Sequence, residues 1–259
     1  MNPRKWITVA VAIAALVTAG CGSGGSSTNG KPDLVVSAAA SLKDAFNQYA
    51  QKFPAATVRA SFAGSDELAA QIQQGVKPDV FASANTKLPD QLYQKGLVEK
   101  PVVFAGNRLV LAVPASGGKV TSLAGLEKPG VTVAMGSASV PVGIYTRKVL
   151  SGLPKDQSAK LLANVRSNEP DVAGVVGKVI QGAVDAGFVY VTDVDATDGK
   201  LKAIELPKSL QPEVAYGVAV VKGAKHPRQA QQFIDGLLNG PGQQALKAAG
   251  FEPPPSGSS

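Results

Sequence analysis

Two serine-led segments carry the residues best suited to chemistry. Ser41-Leu-Lys-Asp44 follows the apolar run Leu34-Val-Val-Ser-Ala-Ala-Ala40, and Ser65-Asp-Glu-Leu68 follows Ser61-Phe-Ala-Gly64. Each places a hydroxyl and several unpaired backbone N–H groups at the positive end of an expected helix, where a strand delivers the chain to the edge of a sheet. Holding an anion is the chemistry such ends perform. Ser41 and Ser65 are expected as N-caps, with Asp44 closing a capping box on Ser41 and with Asp66 and Glu67 in the first turn of the second helix. Two further starts use proline at the first helical position, Val140-Pro141-Val142 and Glu169-Pro170-Asp171-Val172, which leaves the N–H groups of Val142 and Val172 without helical partners. Ser, Asp and Pro are also simply how helices begin, so these residues alone leave open whether the four starts converge on a ligand.

The elements that must position them alternate. Leu34–Ala38, Thr57–Phe62, Asp79–Ser83, Leu109–Val113, Val131–Met135, Ala186–Val191 and Val214–Val221 read as strands, most of them continuous apolar runs of the kind covered on both faces. Helical patterns lie between them at Leu42–Phe53, Asp66–Gln74, Pro89–Lys95, Val142–Leu150, Asp156–Leu162, Asp171–Ala183 and Pro227–Leu238. Strand, helix, strand repetition predicts an α/β fold with mostly parallel sheets, whose ligands sit beyond the carboxyl ends of the strands. In the helix from Asp171, Val172, Val175, Val176, Val179, Ile180 and Ala183 share one face and are expected in the core.

Across this framework the chain resembles the substrate-binding proteins of bacterial molybdate ABC importers, a branch of the periplasmic-binding-protein family. The likeness rests on Ala38-Ala-Ala-Ser41-Leu42, Ser61-Phe-Ala-Gly-Ser65, Pro78-Asp-Val-Phe-Ala-Ser83, Val140-Pro-Val-Gly-Ile-Tyr145, Asp171-Val172, Phe188-Val-Tyr190, and Gly240-Pro-Gly-Gln-Gln-Ala245 with Gly250-Phe251. The resemblance implies a two-lobed type II fold, each lobe a mostly parallel sheet flanked by helices, with the ligand in the cleft between them. It assigns 33–105 and 214–253 to lobe one and 106–213 to lobe two, and 254–259 to a disordered tail. It implies that the molybdate oxyanion, or tungstate, is held by Ser41, Ser65, Val142, Val172 and Tyr190, with no cofactor, no catalytic residue and no direct cation ligand. It implies hinge closure, delivery to the permease and ATPase subunits of an importer, and a monomer. Sulfate, phosphate or an iron complex are the alternative ligands. Gly64 and Asp66 stand where serines are frequent and Val142 where alanine is; Asp66 is expected to face solvent, since an inward carboxylate would repel a dianion.

The N-terminus points outward. Met1-Asn-Pro-Arg4-Lys5 precedes an apolar stretch from Trp6 to Val17 that is too short to span a bilayer, and so reads as an export signal. Small residues lead to Cys21, the only cysteine, followed by a Gly/Ser-rich segment. This resembles a bacterial lipoprotein signal: 1–20 cleaved, Cys21 lipidated, 21–32 a flexible linker, and the protein anchored on the outer face of the cytoplasmic membrane. The chain carries 26 Lys+Arg against 19 Asp+Glu. Removing Arg4 and Lys5 leaves 24 against 19, a modest scattered excess that gives nucleic-acid binding little support.

Other motifs are weak. Asp193-Val-Asp195-Ala-Thr-Asp198-Gly199 has the acids of a calcium loop but no glycine or closing glutamate at the required positions, and reads as an acidic turn. Gly174-Val-Val-Gly177-Lys178 lies inside a valine-faced helix and lacks the Ser/Thr of a phosphate loop. With one histidine, His226, and no nucleophile elbow, a hydrolase lacks its parts. Tyr145 and Tyr216 read as packing or hinge residues.

Overall fold

Apolar runs bounded by turn residues fold here into two five-stranded sheets, each covered by helices. The computed structural model describes residues 30–256, so the expectations for the signal, for Cys21 and for 257–259 lie outside the described residues. The chain first lays down β1 (Asp33–Ala39), α1 (Lys43–Lys52), β2 (Thr57–Ala63), α2 (Ser65–Gln73), β3 (Val80–Ser83), α3 (Lys87–Gln94) and β4 (Val102–Asn107). It continues with β5 (Leu109–Pro114), β6 (Val133–Gly136), α4 (Pro141–Ser151), α5 (Lys155–Ala163), β7 (Val165–Glu169), α6 (Val172–Ile180), β8 (Ala186–Tyr190), α7 (Val191–Asp195) and β9 (Leu201–Glu205). It ends in β10 (Val214–Val220), α8 (Pro227–Asn239) and α9 (Pro241–Ala248).

The strand orders are β2-β1-β3-β10-β4 and β7-β6-β8-β5-β9. In the first sheet β1 pairs in parallel with β2 and β3, while β10 runs antiparallel to β3 and β4. In the second, β6 pairs in parallel with β7 and β8, while β5 runs antiparallel to β8 and β9. Each sheet therefore has one reversed strand in the same place, and each reversed strand is the one by which the chain arrives from the other sheet. The outward passage is the single residue Arg108 between Asn107 and Leu109; the return lies between Glu205 and Val214. Arg108 bridges both sides, with Nη1 2.6 Å from Glu205 and Nε 2.8 Å from Glu252. These pairs are about half exposed and so contribute at most about 1 kcal/mol each.

The central strands are buried throughout, as their continuous apolar runs require: every residue of β3, β6, β8 and β10 is buried. Under the first sheet, Phe46, Tyr49, Phe53 and Phe233 stack edge-on and tilted at 4.6–5.7 Å between ring centres, and Tyr49 Oη donates to the carbonyl of Phe233. This cluster ties α1 to α8, the second-last helix, so the early and late parts of the described chain share one core. In α6, Val172, Val175 and Val179 are buried as expected, but the helix stops at Ile180, which is 43% exposed. Ala183 lies past the helix end, and the apolar face is narrower than the spacing alone implied.

Candidate functional site

Six connections converge. At the carboxyl ends of the three parallel strands of the first sheet stand Ser41, Ser65 and Ala84; at those of the second stand Val142, Val172 and Tyr190. Together with their neighbours they line one small cavity of about 200 Å3 of empty space. All five residues expected from the sequence, Ser41, Ser65, Val142, Val172 and Tyr190, are brought to it, the first two by one sheet and the last three by the other.

The local reasons differ from those expected. Neither serine caps its helix. Ser41 sits inside a short 3-10 turn, Ala40–Leu42, before α1, and the capping box with Asp44 does not form. Gly64 is the N-cap of α2 and Ser65 its first residue. The consequence is chemical: a capping serine spends its oxygen on its own helix, whereas Ser65 Oγ accepts the N–H of Ala84 at 3.1 Å and Ser41 Oγ pairs with Tyr216 Oη at 2.9 Å. Pro141 does occupy the first helical position of α4, but α6 begins one step later than expected, with Asp171 as N-cap and Pro170 outside. Asp171 Oδ1 accepts the N–H of Gly174 at 2.8 Å, which turns this cavity-lining carboxylate to its own helix. Helix geometry leaves the N–H groups of Val142 and Val172 without acceptors in α4 and α6.

Tyr190 supplies the clearest signal. It is 1% exposed, and its hydroxyl has no hydrogen-bond partner among the described residues. A buried hydroxyl left unpaired costs about 1–3 kcal/mol, so this donor, which lines the cavity, is poised for a group bound there. Burial, then the neighbouring Tyr216, Tyr145 and Asp193, push the phenol well above its ordinary value, so it remains an O–H donor. Tyr216 is raised in the same way, first by burial. The lining contains no lysine, arginine or histidine among the described residues. Neutral O–H and N–H donors of this kind replace the hydration shell of an anion without a counter-charge.

Asp66 departs from expectation. Its Oδ1 is buried without a hydrogen-bond partner among the described residues, beside Gly64, although the residue is only half-buried and does not line the cavity. The sequence pointed to packing or a hinge for Tyr216, not to its bond with Ser41, and gave no sign of Asn107 behind it or of the close approach at Gly64; no spacing rule links residues so far apart in the chain.

The comparisons with known proteins fall on this geometry. The model of the family described as bacterial extracellular solute-binding protein matches residues 34–252. The chain belongs to this family. As a solute-binding protein it is not an enzyme, and its relatives include proteins named as molybdate-binding. It is similar to the molybdate-binding protein ModA of Mycobacterium tuberculosis H37Rv, 36% identical over 255 residues and 95% of each chain. ModA of Escherichia coli K12 is 30% identical over 261 residues, 96% of this chain and 98% of that one. Among solved structures, the Azotobacter vinelandii periplasmic molybdate-binding protein superposes with a TM-score of 0.77 at 24% identity, over 86% of this chain and 100% of that one, which establishes the shared two-lobed fold of this solute-binding protein.

Proposed function

We propose that this solute-binding protein captures molybdate, and tungstate with it, outside the cytoplasm and delivers it to an ABC permease by closing its two lobes. The observation that carries the reading is the cavity built half from each sheet, lined by O–H and N–H donors with its one carboxylate, Asp171, turned to its own helix, and with the Tyr190 hydroxyl left without a partner among the described residues. Relatives named as molybdate-binding over nearly their whole length support the choice of ion. The cavity is small, far below the ~300–1,000 Å3 of sites for larger ligands, which suits a small ion. Each hydrogen bond to an ionised acceptor contributes roughly 1.5–3 kcal/mol net, so several converging donors support tight capture.

Ser41 and Ser65 act from one lobe, and Val142, Val172 and Tyr190 from the other. An ion touching both favours the closed form by the contacts made only there, and that difference is what a permease reads. Cys21, lipidated, tethers the protein to the outer face of the membrane. Calorimetric titration of the soluble chain beginning after Cys21 with molybdate, tungstate, sulfate and phosphate tests the reading. Tight binding of the first two is expected, and Ser65→Asp abolishes it by placing a carboxylate where the ion belongs; preference for sulfate or phosphate, or unchanged binding by Ser65→Asp, overturns it.

A further inference from the structure

We propose that Tyr216 and Asn107 form a proton-ordering relay that fixes Ser41 as a hydrogen-bond donor toward the cavity, making Tyr216 a positioning residue for anion selection. The inference rests on the reading of Ser41 as a ligand hydroxyl.

The direction of each bond follows from what each atom is able to give. Asn107 Oδ1 accepts the N–H of Arg108 at 2.8 Å, which sets the amide's orientation. Its Nδ2 then faces Thr192 Oγ1 at 2.9 Å and Tyr216 Oη at 3.4 Å. An amide nitrogen only donates, so Tyr216 accepts there. The phenol has one hydrogen, and its other partner is Ser41 Oγ at 2.9 Å. That hydrogen goes to Ser41, whose oxygen is thereby used as an acceptor, and the single hydrogen of Ser41 is left to point into the cavity that the residue lines.

Burial keeps this order from being scrambled by water: Asn107 is 4%, Tyr216 0% and Thr192 5% exposed. Burial also holds the phenol in its protonated form, so the relay has a hydrogen to pass. Ser65 reaches the same state by a shorter route, because the N–H of Ala84 occupies its oxygen. Both serines thus face the ligand as donors. A tetrahedral ion bearing a proton brings an O–H that needs an acceptor, and with one lone pair of Ser41 taken by Tyr216 the site offers it fewer acceptors than donors.

The test is a set of titrations of molybdate and inorganic phosphate into wild-type protein, Tyr216→Phe, Ser41→Ala and the double variant at about pH 8, where phosphate is mainly the monohydrogen dianion. Tyr216→Phe keeps the ring that packs on Phe104 and Phe251 and removes only the hydroxyl. It is expected to weaken molybdate binding by about 2- to 12-fold, the worth of one neutral hydrogen bond, and to narrow the preference for molybdate over phosphate. In the Ser41→Ala background the same change is expected to cost nothing further, because there is no serine left to orient. Wild-type protein that binds neither ion overturns the ligand reading and the relay with it. Binding by wild type with Tyr216→Phe unchanged, or with equal losses in the two backgrounds, overturns the relay alone. Should Tyr216→Phe not fold, Asn107→Leu removes the donor that orders the phenol and is expected to narrow the same preference; an unchanged preference overturns the proposal.

Discussion

The carbonyl oxygen of Pro170, ahead of α6, stands 2.5 Å from the point that a Cβ on Gly64, at the start of α2, would occupy. Val140 Cγ2 is 3.5 Å from the same point. Both neighbours belong to the second sheet's connections and Gly64 to the first, so the missing side chain is what lets the halves of the site meet. Gly64→Ala is expected to hold them apart, weakening anion binding by an overpacking cost of about 1–3 kcal/mol, or roughly 5- to 150-fold. If the lobes open as proposed, thermal unfolding of the unliganded protein should hardly move, because opening relieves the contact with Pro170 and the Asp66 side chain can swing aside. Calorimetry that finds equal affinity would show that the approach is not needed for binding.

Tyr190→Phe separates binding from stability. In the unliganded protein the change removes a buried hydroxyl that has no partner, so urea unfolding is expected to show equal or greater stability. With the ion present the variant loses a donor to a charged acceptor, about 1.5–3 kcal/mol or roughly 10- to 150-fold in affinity. Loss of stability together with unchanged binding would remove Tyr190 from the site.

Asp193 gives the protein a pH signature. Its Oδ2 accepts the N–H of Tyr190 at 2.9 Å. Although the residue is only half-buried, protein crowds its carboxyl, and burial first, then Asp171 and Asp44, push it up to about 7, against the pull of that N–H. Between the ordinary value of 3.8 and about 7 the folded protein holds a proton that the unfolded chain has released. Stability from this group is therefore greatest at the acid end and falls as pH rises through that window, by up to about 1.4 kcal/mol per unit. Asp193→Asn keeps an acceptor for the N–H and should flatten the slope of unfolding free energy against pH. The same slope in the variant would assign it to another group.

Asp66 places a carboxylate oxygen, without a hydrogen-bond partner among the described residues, beside Gly64, where the two halves of the site approach. Asp66→Asn removes the charge and is expected to tighten binding of a dianion, most visibly at low ionic strength, where screening is weakest. Loss of the favourable interaction with the start of α2 should lower stability by about 0.3–1 kcal/mol. Affinity that is unchanged at all salt concentrations would mean that the carboxylate does not sense the ion.

How much was legible follows the burial of each element. The strands found from sequence, among them β1, β3, β5, β8 and β10, include the covered central ones, whose apolar runs are unbroken. The three that escaped notice, β4, β7 and β9, are all edge strands. Val165-Arg-Ser-Asn-Glu169 and Leu201-Lys-Ala-Ile-Glu205 alternate with charge because one side meets water and the rim must not invite pairing with another chain. Helix α9 was missed because Gly240-Pro241-Gly242 reads as a turn, while in the fold Pro241 opens a helix. The residues lining the cavity were findable because each lies at, or within a few residues past, the carboxyl end of a strand. Their hydrogen-bond roles were not: Ser41 and Tyr216 are 175 residues apart, and Ser65 gives up its expected cap to meet Ala84.

The strand order also dictates a sequence of events. The second sheet is drawn wholly from 109–205, one unbroken stretch, whereas β10 must slip between β3 and β4 before the first is whole. A chain emerging from its N-terminus onward therefore presents an unfilled gap beside β3 until the last fifth or so of its sequence arrives, while its middle already has every strand it needs. The half whose strands are made first is the half that matures last, and any nascent species cut short before Val214 would carry a finished lobe joined to an unfinished one.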